Sequence, residues 1–190
     1  KREFEKVANK ATMTQNLKAA ISKRLESMLN RNPLRTDLQK KFQEMIDSYN
    51  NEKNRKTIEE TFEELLRFVN RMDTESARCA REGLNEEQLA MFDLLKKGDL
   101  TKDDINRIKK VAGELLAALR NEIGSMDHWT DKQGTRDAVK QRIYDFLYDE
   151  KTGLPEAFKP EEIDELSQKV FLHVFRAYPK VPSPVYDESA

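Results

Sequence analysis

The sequence predicts an all-α protein: a bundle of about seven helices followed by an extended, proline-containing C-terminal tail. Three observations carry that expectation. No stretch sustains the period-two alternation of a half-buried strand, whereas apolar residues recur at spacings of three and four along most of the chain. Only six glycines and six prolines interrupt its 190 residues. Charged residues make up 36% and apolar residues 37%, the balance of long amphipathic helices with solvated outer faces.

The helices follow in order. After a basic lead, Leu17, Ile21, Leu25 and Met28 predict a first helix over 14–30. Asn32 before Pro33 reads as a cap followed by a first-turn proline, opening a second helix striped by Leu34, Leu38, Phe42, Met45 and Tyr49 that fades at Asn50, Asn51 and Asn54. Thr57 with Glu60 forms a capping-box pattern for a third, carried by Ile58, Phe62, Leu65, Leu66, Val69 and Met72 to about Arg81, where Gly83 stops it. Asn85 with Gln88 repeats the box before a short helix through Leu89, Phe92 and Leu95, closing at Gly98. Thr101 caps the fifth, with Asp103 and Asp104 in the first turn where the macrodipole favours acids and Ile105, Ile108, Val111, Leu115, Leu119 and Ile123 as its stripe. Thr130 with Gln133 is expected to open the sixth, burying Val139, Ile143, Phe146 and Leu147 before Gly153-Leu154-Pro155 breaks the chain. Lys159-Pro160-Glu161-Glu162 starts the last, with proline in its first position.

That last helix carries Phe171, Val174, Phe175 and Tyr178 on one face, and Pro179 ends it. Pro182 and Pro184 favour polyproline II, so Val181, Val185 and Tyr186 are expected on an extended segment suited to lying along another surface, either a partner's or that of its own helical bundle, with a frayed terminus over 180–190 as the ordinary alternative. Phe171, Phe175, Tyr178, Val185 and Tyr186 are therefore candidate partner-docking residues. A single cysteine, Cys79, excludes an internal disulfide and suits the cytoplasm; no run has membrane-spanning length, so no membrane partner is expected. The chain opens at Lys1 without an initiator methionine, as expected of a piece of a longer protein.

The net charge of −1 hides a partition. Residues 1–56 hold 14 Lys/Arg against 7 Asp/Glu, and residues 57–190 hold 20 against 28, giving +7 and −8. Lys18, Lys23, Arg24, Arg31, Arg35, Lys40 and Lys41 are accordingly candidate DNA-facing residues, with a solvated helix surface as the ordinary alternative.

Catalytic signatures are absent. The chain has neither a GxxxxGK[ST] phosphate loop nor a GxGxxG turn. Asp149-Glu150-Lys151, with Asp145 one turn earlier, loosely matches the end of a PD-(D/E)xK nuclease site but sits at a helix terminus, without the strand such sites are built on. His128 and His173 have no ligand at metal spacing; a packing or capping role is expected of His128 and a satisfied core or interface role of His173. Cys79 lacks an activating histidine. No catalytic, metal or cofactor residue is assigned.

Several segments nevertheless form a pattern. Phe4-Glu5, Thr14-Gln15-Asn16-Leu17-Lys18-Ala19-Ala20-Ile21, Asn32-Pro33-Leu34-Arg35, Tyr49-Asn50 and Glu60-Thr61-Phe62-Glu63-Glu64-Leu65 resemble the C-terminal helical region of type I restriction enzyme R subunits. Gly83 to Asp93, Trp129 with Arg136 and Val139, Leu154-Pro155 and the stretch from Val170 to Tyr186 extend the likeness across nearly the whole chain. These are packing and capping motifs, so no catalytic residue is carried over.

The resemblance implies a parent chain with an N-terminal nuclease and a two-lobed DNA translocase using ATP and magnesium, that is, an ATP-dependent type I site-specific deoxyribonuclease. It implies that this region joins the motor to the modification and specificity subunits, meeting DNA only through the parent complex. Residues 1–13 are then a linker from the motor, 14–178 a helical assembly domain without activity of its own, and 179–190 the tail. The fragment is expected to be monomeric and to need no cofactor. A nucleic-acid contact module and an unrelated helical adaptor are the competing readings.

Overall fold

The computed structural model describes residues 10–51 and 58–187, and all regular structure among them is helical. The helices are α1 (Lys10–Arg31), α2 (Thr36–Asn51), α3 (Ile58–Ser76), α4 (Arg78–Glu82), α5 (Glu86–Leu95), α6 (Lys102–Gly124), α7 (Gln133–Tyr148) and α8 (Pro160–Ala177). Seven of them are ten residues or longer and α4 is a five-residue segment. Phe4-Glu5, Asn54 and the Thr57 cap lie outside the described residues. The chain divides into two compact units, one of Lys1–Asn30 and Leu34–Arg81, the other of Arg31–Pro33 and Glu82–Ala190.

In the first unit most of the predicted stripes meet, but Leu34, expected on the stripe of the second helix, precedes α2 and is 50% exposed. Ile21, Leu25 and Met28 of α1, Leu38 of α2, and Leu65, Phe68 and Met72 of α3 form one apolar cluster, with Leu17, Phe42, Met45 and Val69 packed against it. Phe42 stacks on Phe68 at a centroid distance of 5.5 Å. Arg35 is buried, its Nε 3.0 Å from Glu75, which Arg78 approaches at 3.1 Å.

Two boundaries differ from expectation here. Regular helix begins at Thr36 rather than Pro33, after a turn over 33–35, and the buried Asn32 side chain donates to Asp93 at 2.6 Å. The third helix is interrupted at Ala77, just after the Thr74 and Ser76 hydroxyls donate to the carbonyls four residues back. Such back-bonding bends helices, and the chain resumes as α4 until Gly83, whose φ of +69° suits glycine.

In the second unit α5 packs on α6, α6 on α7, α7 on α8, and α8 on α5, closing a four-helix ring. Leu89, Ala90, Met91, Phe92, Leu94 and Leu95 of α5 are all buried, so this short helix is apolar nearly all round. Both expected N-termini hold: Asn85 and Gln88 form a full capping box, as do Thr101 and Asp104. Pro160 occupies the first turn of α8, behind Lys159.

The start of α7 does not hold, since the helix opens at Gln133 behind Lys132, which makes no side-chain cap. The Thr130 hydroxyl points to Asp131, while Thr135 donates to the Trp129 carbonyl at 2.6 Å and Arg136 to that of Thr130 at 2.7 Å. Phe146 is only half-buried. Gly153 is required sterically: a Cβ there would lie 2.5 Å from the carbonyl oxygens of both Asp149 and Leu147.

The tail is the largest departure. Residues 179–187 are bends and a turn rather than an extended strand, and they fold back on the second unit. Tyr186 donates its hydroxyl to the carbonyl of Arg31, and Ser183 donates to that of Ala177. Prolines restrict φ but do not choose a direction; the side chains at 183 and 186 do that.

Candidate functional site

The aromatic residues singled out at the C-terminus are organised by Trp129, which is fully buried in the loop before α7. Its Nε1 donates to the Tyr178 carbonyl at 2.7 Å, satisfying an acceptor at the end of α8. Its ring meets Phe175 edge-on at 5.8 Å and Phe171 at 6.3 Å, and Lys140 lies 4.9 Å above the Phe171 ring. Phe171 and Phe175 are therefore half-buried rather than displayed.

Tyr178 is 1% exposed and belongs to the core, so it is not available as a docking residue. Burial first, and then Tyr186 and Glu87, push its hydroxyl pKa upward; Glu87 is itself held by Arg120 at 2.9 Å. Tyr186 lies against Tyr178 with ring centroids 5.7 Å apart, and its oxygen is 3.1 Å from His173 Nε2. Because that hydroxyl donates to Arg31, it accepts from the imidazole, which assigns the Nε2–H tautomer. Burial lowers the His173 pKa to about 4, so this core histidine is neutral at pH 7. Val185 and Tyr186 are half-buried.

In the second unit, exposed large apolar side chains lie instead along a groove between α7 and α8 lined by Lys140, Tyr144, Asp164, Phe171 and Leu172. Leu172 is 51% exposed and Tyr144 38%. The two helices run antiparallel, with Tyr148 donating to Pro160 at 3.1 Å and the Tyr144 ring tilted against Tyr148 at 4.5 Å. Sequence reasoning passed over Tyr144 and Leu172. Their only signal is that each is a large apolar residue one position off its helix's buried stripe.

The seven basic candidates do not form one face. Lys18 sits 3.6 Å from the Tyr49 ring centroid, and burial lowers its pKa. Arg24 pairs with Asp73 at 2.7 Å, and Arg35 is 4% exposed in its ion pair with Glu75. Arg31 offers its carbonyl to the tail. Lys23, Lys40 and Lys41 remain exposed. Lys41 borders a groove of mixed charge with Arg67, Arg71, Glu44 and Glu64.

The loose nuclease match is a turn. One oxygen of Asp149 accepts from the Thr152 amide at 2.7 Å, the Thr152 hydroxyl at 2.9 Å and the Lys151 amide at 2.9 Å. Those bonds hold its pKa below the usual carboxylate value. Asp145 receives the Gln141 amide at 2.7 Å. His128 is exposed with a φ of 51°, so of the packing or capping role expected of it the packing does not hold. Cys79 is a half-buried free thiol in α4. Among the described residues, no group of three His, Cys, Asp or Glu side chains is placed to hold a metal ion, and no helix is long and apolar enough to cross a membrane.

Comparison with curated proteins and with solved structures finds no match. A family model does match: "Type I restriction enzyme HindI endonuclease subunit-like, C-terminal" covers residues 1–176, nearly the span over which capping and packing motifs resembled R subunits. With so much of its length matched, this chain belongs to the family of C-terminal domains of type I restriction enzyme endonuclease subunits.

Proposed function

We propose that this domain is an assembly module, docking the ATP-dependent DNA translocase and endonuclease of a cytoplasmic type I restriction enzyme onto its core of modification and specificity subunits. The observation that carries the reading is the α7–α8 groove. Among the described residues of the four-helix ring, Tyr144 and Leu172 are large apolar side chains left exposed, beside the half-buried Phe171. Exposed aromatic and aliphatic groups on a rigid helix pair are the usual anchors of a protein interface. In this reading the domain performs no chemistry, and ATP and magnesium serve the motor and nuclease of the parent chain.

The test places Tyr144→Ser and Leu172→Asp together in the intact R subunit and measures its association with the modification and specificity subunits. Affinity is expected to fall at least about tenfold with the melting temperature of the domain unchanged. Undiminished association would refute docking through this groove.

A nucleic-acid role has narrower support, in the exposed Lys23, Lys40 and Lys41 of α1 and α2. Charge reversal at all three should weaken DNA binding and flatten its salt dependence if they meet phosphates, because each such contact releases counterions. An unchanged salt slope would leave them as solvated lysines. Family membership removes the reading as an unrelated adaptor.

A further inference from the structure

We propose, on the reading of the α7–α8 groove as the docking surface, that its occupant is a basic amphipathic helix of a partner subunit, with an apolar stripe about three turns long and a Lys or Arg near each end. The groove has a volume of about 840 Å³ and runs between two antiparallel helices, a seat shaped for a third helix.

Its middle is apolar. Tyr144 stands exposed on α7, and Leu172 stands exposed on α8 next to the half-buried Phe171. Ser167, small and buried, commits its hydroxyl to the Ile163 carbonyl at 2.7 Å, so α8 is low at that point and leaves no hydroxyl for an occupant to satisfy.

Each end carries a carboxylate. Asp164 is exposed and meets the Tyr148 hydroxyl at 3.4 Å, and among the described residues no Lys or Arg pairs with it. Asp137 is also exposed and accepts from the Gln133 amide at 2.8 Å. Tyr148, which touches Asp164, follows Asp137 by 11 residues on α7, so the two acids stand roughly 16 Å apart along the groove. Lys140 lies 3.7 Å from Asp137 and 4.9 Å over the Phe171 ring, so its charge is engaged inside the groove.

The order acid, apolar, acid selects among occupants. A phosphate backbone is repelled by both carboxylates. A second copy of this chain, docked groove to groove about a twofold axis, sets Asp137 and Asp164 against their equals. A helix with a cation near each end of an apolar stripe matches all three zones at once: it covers Tyr144, Phe171 and Leu172 and brings a cation to each acid. Because both acids are exposed, they act chiefly on the rate and selectivity of encounter, while the apolar groups hold the complex.

The experiment measures association and dissociation of the intact R subunit with the complex of modification and specificity subunits at about 50 and about 300 mM salt. Asp137→Lys with Asp164→Lys is expected to slow association at least about tenfold at the lower salt and much less at the higher, with the melting temperature of the domain unchanged. Asp137→Asn with Asp164→Asn keeps an acceptor at both positions and should give a smaller loss in the same direction. Tyr144→Ser with Leu172→Asp should speed dissociation at both salts. If that apolar pair weakens binding while both carboxylate pairs match the parent, the basic helix is overturned and docking through the groove stands. Faster association of the lysine pair would overturn the basic helix by making the partner acidic. If no variant differs from the parent, the basic helix and the docking surface fall together.

Discussion

Lowering the pH from 7 to 5 should destabilise the second unit through one residue, His173. In the native state burial holds its pKa at about 4, against an ordinary value of 6.5. Between those values the unfolded chain binds a proton that the folded chain does not, so stability is fully present above pH 6.5 and drains away as pH falls. Integrating that difference gives a loss of about 2 kcal/mol between pH 7 and pH 5, with little further loss from this group below pH 4. The carboxylates with lowered pKa, Glu162, Asp104 and Asp149, have ordinary values of 4.5 or below and act mainly at more acid pH. Trp129 is the chain's single tryptophan and lies in the same unit, so its fluorescence during urea melts reports the relevant transition. His173→Gln keeps a donor for Tyr186 but cannot titrate, and its loss between pH 7 and pH 5 should shrink to roughly a quarter of the parent's. Equal losses in the two proteins would refute a buried neutral histidine.

Three other outcomes follow from single contacts. Gly153→Ala drives a methyl group into the carbonyls of Asp149 and Leu147 and should cost the second unit about 2 kcal/mol, read by the same fluorescence melts. Glu75→Ala leaves the buried Arg35 guanidinium without its carboxylate and should destabilise the first unit by about 3 kcal/mol, seen by helical circular dichroism, with the Trp129 transition unmoved. Asn85→Ala removes half of the capping box on α5 and should cost about 1 kcal/mol in thermal melts; no change would show that burial alone sets the start of that helix.

What the sequence revealed and what it hid divide along a physical line. Helix ends governed by neighbours in sequence were readable, as at Asn85-Gln88, Thr101 and Pro160, because a cap and its target lie within one turn. Asn32 looked like the same signal, but regular helix starts only at Thr36, and the Asn32 amide nitrogen is held by a carboxylate 61 residues away. Thr130 failed for a related reason, since Thr135 and Arg136 shape the Trp129 loop and push the helix start to Gln133. The tail was misread as extended because its path depends on Tyr186 finding Arg31. The α7–α8 groove was invisible for the opposite reason: periodicity marks what a helix buries, and Tyr144 and Leu172 matter because they are not buried.

The charges carry the same lesson further. Counted along the sequence, they suggested an electrostatic surface, yet many cations that are not fully solvated serve as ties between elements. Arg107 donates to the carbonyls of Gly153 and Glu150 at 2.9 Å each, closing the turn after α7. Lys97 reaches the Ala157 carbonyl at 2.7 Å and Glu162 at the start of α8, while Lys109 binds Glu82. Each satisfies acceptors that a loop or a helix end would otherwise leave to water. Long side chains of this kind bury their stems and fix the connections, so a highly charged helical protein can spend much of its charge on rigidity. Only cations that are both exposed and unengaged can answer to phosphate. By that criterion the basic first third narrows from seven candidates to Lys23, Lys40 and Lys41, while α7 and α8 leave the large apolar side chains Tyr144 and Leu172 exposed.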